Sequence, residues 1–346
     1  MSSPTFGEKL KDIRKSFNRR YCLHPNAGSQ CSHQIIKAHT IQRSGSLTKL
    51  AKNQHIYTFH PGDAELMKTG MLSPRRIGIN KASTFTGFCD FHDNATFAPI
   101  ENHTFESTPK HTFLLSYRAL CREFYMKRAR VEHISSIRTF DKGAPVEKQI
   151  WWMAQVSAME RGERSSLRHL ERYKSIYDHC LLTEDYVEVQ YYVIRIGCTP
   201  DFVCSGCVFP DYDFSGNKLQ TLTNLDEIPQ LISFSVLASD LGGLAVFGWV
   251  GPTPTAVKLV QTLDSLPNDQ ISHALVRFSF EYVENIFMSI DWWDQLAERV
   301  KSKLILRSLT GARPDLERRF DCLADDGLRI VSWPVLARQT NIDFTT

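Results

Sequence analysis

Four residues constrain this chain more than any others: Cys22, Cys31, Cys89 and His92. Two residues separate Cys89 from His92, the gap that lets a tight turn or helix start put both side chains on one metal ion. Cys22 and Cys31 lie in a longer loop and can supply the other two ligands of a tetrahedral Cys3His site, which suits structural Zn²⁺. The surrounding stretch, 21–111, is interrupted by Gly, Pro, Asn and Ser, and its apolar runs are short. Such a segment buries little core, and a bound metal is one way to stabilise it. The competing reading is that these cysteines pack as small buried hydrophobes.

Between the two pairs runs Ile35-Ile36-Lys37-Ala38-His39-Thr40-Ile41, whose apolar residues predict a strand with His39 facing away from Ala38 and Thr40. A histidine there can act as a general base on water, because its unperturbed pKa lies near neutrality. Asp93, directly after His92, is a hard oxygen donor suited to Mg²⁺ or Mn²⁺. A base facing a metal-held phosphate is what phosphodiester hydrolysis needs.

On these residues the stretch 20–102 resembles the HNH (ββα-metal) endonucleases that carry a zinc-bound treble-clef scaffold. Cys22 and Cys31 look like the first ligand pair, His39 like the base, and Cys89 and His92 like the second pair. Asp93 stands where the family has a metal-binding histidine, and Thr84 where it has its middle asparagine. The resemblance implies a metal-dependent endonuclease with catalytic His39 and Asp93, structural zinc and a catalytic Mg²⁺ or Mn²⁺. The alternative is a non-catalytic, zinc-stabilised module that binds nucleic acid or protein.

Charge supports a polyanionic partner in either case. Residues 1–182 hold 28 Lys and Arg against 16 Asp and Glu, whereas 183–346 hold 13 against 22. A basic half commonly meets nucleic acid. Arg75, Arg76 and Lys81 are placed to hold a flanking phosphate. Arg118 and Arg122, interleaved with Tyr117 and Tyr125 on a helix, can hold the backbone while the tyrosines stack on bases. His33, His55 and His60 read as solvated histidines, and Cys198, Cys204 and Cys207 as small residues of a strand–turn–strand. The nine cysteines are odd in number and scattered, unlike a secreted disulfide framework. No apolar run approaches the roughly 18 residues of a membrane span, and the N-terminus lacks the apolar core of a secretory signal. A cytoplasmic protein is expected.

The fold class expected is α+β: a zinc-stabilised ββα module over 1–111, a helical connector over 112–182 and a mixed α+β domain over 183–346. Helical spacing marks 4–17, 111–133, 145–180, 254–265 and 291–308. Alternation marks a strand at 187–198, and 231–250 reads as two strands joined in a hairpin at Asp240-Leu241-Gly242-Gly243. Asp291 reads as an N-cap beside tryptophans that anchor its helix. The last domain is assigned a protein partner or a homodimer contact.

Overall fold

The structure is a computed structural model, and it describes residues 18–28, 30–59, 72–139, 141–224, 227–311 and 318–344. The expected helix at 4–17 and His60 lie outside the described residues. The class is α+β, as expected. Among the described residues two sheets are formed, both antiparallel throughout. The small one pairs β1 (Ala38–His39) with β4 (Thr84–Phe85). The large one has eight strands in the order β10-β5-β8-β7-β6-β9-β2-β3. Its members are β2 (His55–Thr58), β3 (Arg75–Gly78), β5 (Val189–Ile196), β6 (Phe202–Val208), β7 (Ile232–Ser239), β8 (Gly242–Val250), β9 (Ile286–Met288) and β10 (Val335–Thr340).

Helices cover both faces of the large sheet. On one side lies a hairpin of α2 (Pro109–Ile137) and α3 (Val146–Thr183); it follows α1 (Asp90–Glu101). Thr108 caps α2 by accepting from the His111 amide, and Pro109 opens its first turn, where a missing N–H costs nothing. The approach of α2 to the sheet depends on Gly248: a β-carbon there would lie 2.5 Å from Thr112 and 2.7 Å from Ser116. With no side chain in the way, Ser116 Oγ meets Ser233 Oγ at 2.5 Å across the interface. On the other face α4 (Pro254–Asp264), α5 (Asn268–Tyr282) and α7 (Glu298–Gly311) close the main core. Phe234 and Phe247 of the sheet pack on Phe278 of α5, with ring centroids 4.9 and 5.4 Å away. Burying a phenylalanine fully is worth about 2–3 kcal/mol.

The three segments drawn from the sequence do not separate into three cores. The β2–β3 hairpin, from the N-terminal third, joins the large sheet through Tyr57↔Met288 and Thr58↔Phe287. Ile41, Leu47, Leu50, Ile56 and Ile79 share a buried cluster with Val203, Ala238 and Phe287. A second cluster runs from Leu23 through Tyr117 and Leu170 to Val189 and Leu231. Packing thus continues across 111 and 182, the limits expected from the sequence.

Other expectations are met or amended locally. The hairpin turning at 240–243 and the helices at 109–137 and 146–183 are present. The helix expected at 291–308 is broken into α6 (Ile290–Gln295) and α7 by extended backbone at Leu296. Ser289, not Asp291, caps α6; Asp291 lies in its first turn and pairs with Lys52. Trp293 is buried and Trp292 donates to the Ile330 carbonyl, so the tryptophans do anchor this helix. No described helix is long and apolar enough to cross a membrane.

Candidate metal centre

The centre forms where three local structures meet. The first is the loop carrying Cys22 and Cys31. Its backbone is clipped to the strand region of 84–88 by Leu23 N–H to Gly87 O, 2.8 Å. Gly28 makes the return, with φ +114, a value that only glycine reaches without strain. The second is the β1–β4 pair, in which Ala38 faces Phe85 and His39 faces Thr84. The third is the start of α1. Cys89 is its N-cap, its sulfur accepting from the His92 amide at 3.4 Å. Ile35 bridges Cys89, and Asp90 N–H donates to Gln34 O at 2.9 Å, so the ligand-bearing turn is fixed from the opposite strand as well.

These elements bring together the four residues expected from the sequence. The sulfurs of Cys22, Cys31 and Cys89 and one ring nitrogen of His92 all lie within 4.8 Å of one another. His92 Nδ1 is 3.5 Å from Cys22 Sγ, 3.6 Å from Cys31 Sγ and 3.3 Å from Cys89 Sγ. A single imidazole nitrogen makes one hydrogen bond, not three. Tetrahedral zinc with Zn–S about 2.3 Å and Zn–N about 2.0 Å would separate sulfur and nitrogen by about 3.5 Å. The donor set therefore fits a metal such as zinc.

Without a cation the ligands' protonation is pulled in different directions, and a bound metal would have to displace the Cys22 proton. Burial pushes the Cys22 thiol up to about 11, against the pull of backbone contacts with Cys89 and His24. Burial works the same way on Cys89, but hydrogen bonds from His92, Ser32 and Cys22 outweigh it and hold that thiol below its ordinary value. Burial holds the His92 imidazole down, in the neutral form that ligates. Two neighbours escaped the sequence reading. His24 stacks flat on His92, ring centroids 3.9 Å apart. Lys174 of α3, 93% buried, donates to the Leu23 carbonyl at 2.7 Å and pairs with Asp178 at 2.5 Å. Nothing in the sequence links position 174 to position 23.

The residues expected to be catalytic lie close by in a different setting. His39 is half-buried, with Nε2 3.4 Å from the Ile79 carbonyl. Burial holds its pKa down, opposed by that carbonyl and reinforced by Arg43 and Arg118. Asp93 is buried, which pushes its carboxyl up to about 6 against the pull of Arg118. Its Oδ1 makes no hydrogen bond among the described residues. Arg118 Nη2 is 4.0 Å from Asp93, its Nη1 is 2.8 Å from Glu101, and its guanidinium lies 3.9 Å over the Phe97 ring. Gln42, just beyond β1, donates to the Glu101 carbonyl at 2.8 Å. Asp93, Phe97 and Glu101 recur every four residues along one face of α1, a spacing that could have flagged Glu101.

The basic residues divide. Arg75 and Arg76 on the edge strand β3 are exposed, as is Lys81 just after it. Arg118 is only 2% exposed, so its expected contact with nucleic acid is corrected: its charge is spent on Glu101 and Asp93. Arg122 is also corrected, since it is largely buried and paired with Glu123 at 2.7 Å. Tyr117 and Tyr125 are buried as well; Tyr117 donates to Asp178 and Tyr125 to the Arg19 carbonyl, so neither can stack on a base. His33 is exposed and not among the four ligands, and His55 contacts the Asn53 carbonyl at 2.7 Å. Cys204 and Cys207 lie on β6, with Cys198 in the loop before it.

What fold and donors define is an α+β protein with a Cys3His group that could hold a metal ion such as zinc. Comparison with protein-family models, curated proteins and solved structures finds no match for this chain.

Proposed function

We propose that this chain is a zinc-stabilised binding protein for a polyanion, nucleic acid foremost, in which the ββα-metal scaffold serves as a platform. One observation carries this reading: the carboxylate where a catalytic cation would be held faces a buried arginine 4.0 Å away. Arg118 sits against both Asp93 and Glu101 inside the protein. At an effective dielectric near 20, a divalent ion about 5 Å from a guanidinium is repelled by about 6–7 kcal/mol. Of the carboxylates that would offset this, Glu101 is already paired with Arg118 at 2.8 Å, and Asp93 faces the same guanidinium at 4.0 Å. The exposed Arg75, Arg76 and Lys81, along one edge of the large sheet, supply the polyanion contact.

A second reading, metal-dependent phosphodiester hydrolysis with Mg²⁺ or Mn²⁺, is favoured by His39, an imidazole kept neutral by burial near Glu101 and Arg118. One experiment separates the two. Zinc-loaded wild type and His39→Ala are incubated with plasmid DNA and with total RNA, with and without Mg²⁺ or Mn²⁺, and binding is titrated against salt. The binding reading expects no cleavage and an affinity that falls steeply with salt. In Arg75→Glu/Arg76→Glu the slope of log affinity against log salt should shrink by about 1 per lost phosphate contact. Metal-dependent cleavage that disappears in His39→Ala while zinc stays bound would overturn it in favour of the nuclease.

A further inference from the structure

The first half of α3 carries an apolar surface that the core does not use. From Gln149 to Met159 no residue is charged, whereas charges recur every few positions from Glu160 onward. Trp152 and Val156 serve the fold: Trp152 donates to the Ile137 carbonyl of α2 at 3.1 Å, and Val156 is buried. Val146, Ile150, Trp151 and Met153 face solvent instead, 67%, 64%, 61% and 55% exposed. One exposed apolar side chain needs no explanation, but four within about two turns form a patch of the kind that marks an interaction site. Tryptophan in particular is enriched where proteins meet.

The spacing along this face and the charges at its ends indicate what covers it. Glu147, Trp151, Ala154, Ala158 and Arg161 are all exposed and follow one another at steps of four and three, the seam along which two helices pack. The seam is nearly symmetric about Ala154, with an acid at one end and a base at the other. Glu160, beside the seam, is already held by Arg138 and Arg164. Glu147 and Arg161 have no ion-pair partner among the described residues.

We propose that this face binds a second copy of the chain, α3 against α3, antiparallel and centred on Ala154. In that register Glu147 of each copy stands opposite Arg161 of the other, so both free charges are answered, twice over. Trp151 meets Ala158, whose small side chain leaves room for the indole, and Ala154 meets itself at the axis. A parallel pair would set Glu147 against Glu147 and Arg161 against Arg161. An anionic lipid surface would meet an acid at the rim, and a partner of one charge would answer only one end. A twofold contact of this kind closes on itself and gives a dimer, not a filament. The self-contact then lies on α3 rather than within 183–346, where it was expected. Sixteen residues of helix span about 24 Å, less than a standard interface uses, so a dissociation constant on the order of 10 µM is expected.

The test is sedimentation velocity of full-length, zinc-loaded protein from about 2 to about 200 µM. Wild type is expected to pass from monomer to dimer across that range. Trp151→Ser and Ala154→Glu, the latter placing two like charges at the axis, should stay monomeric, with helicity and zinc content unchanged because both positions are exposed. Arg161→Glu should weaken the dimer at least tenfold, and Glu147→Arg/Arg161→Glu should restore it. The restoration is specific to the antiparallel register, since a parallel pair gains nothing from the double exchange. A wild type that remains monomeric overturns the proposal; if that monomer cosediments with phosphatidylglycerol vesicles, the face belongs to a membrane surface instead. A dimer that survives both Trp151→Ser and Ala154→Glu, or a double exchange no tighter than Arg161→Glu alone, overturns it as well.

Discussion

At the scale of single residues, the four members of the Cys3His group were legible because metal chemistry leaves a spacing signal. Cys89-x2-His92 has to sit on one turn, and the turn is there. Their supports were not legible. His24 stacks on His92 and Lys174 reaches Leu23 only because of the tertiary fold, and no local pattern encodes such contacts. The buried pairing of Arg118 with Glu101 was missed for a related reason: an arginine beside tyrosines on an amphipathic helix reads the same whether it faces water or a carboxylate. His273 gives the prediction at this scale. It is 8% exposed on α5, and burial holds its pKa down, aided by Arg329 and Arg277 against Asp325 and Asp269. The folded chain thus resists the proton that the unfolded chain accepts below about pH 6.5. Stability is full above that pH and falls as pH drops through it. Urea melts of His273→Gln should show a flatter loss between pH 7 and 5.5, by at most about 1 kcal/mol; an unchanged slope would assign the acid sensitivity elsewhere.

At the scale of elements, legibility followed periodicity. β7 and β8 are apolar runs rich in β-branched and aromatic residues on either side of a turn at Asp240-Leu241, and α2 and α3 carry long apolar stripes, so all four were visible. Helix α5 was not. Every residue from Ile271 to Tyr282 is buried, which erases the polar face by which an amphipathic helix is recognised. β9, three residues long, is too short to show a period. Lys174 couples two elements, since it ties α3 to the loop that carries Cys22. Lys174→Met removes that tie and leaves Asp178, 23% exposed, without its cation. The expected loss is about 3 kcal/mol, together with faster zinc release to a chelator. A variant as stable as wild type, holding zinc as long, would show that the loop closes without α3.

At the scale of the whole molecule, the sequence showed the class but not the connectivity of packing. Composition and spacing change near 111 and 182, and those changes read as domain limits. Hydrophobic clusters cross both limits nonetheless, because β2 and β3 find their partner in β9. Fragments cut there should behave accordingly. Residues 1–111 produced alone expose the unpaired edge of β2, and 183–346 alone expose β9 and the face that α2 covers. Neither is expected to give a cooperative melt or dispersed amide resonances, whereas the full chain should unfold in one transition. A well-dispersed spectrum from 1–111 with bound zinc would restore the module as an independent unit.

The same pairing sets an order of events during synthesis. All four metal ligands have been made once His92 is translated, but β9 ends at Met288. At 5–20 residues per second the ribosome needs about 10–40 s to cover that interval. For that time β2 and β3 exist as a hairpin without a neighbouring strand, attached to a loop that zinc can already close. The newborn edge therefore waits for its partner strand until most of the chain has been made.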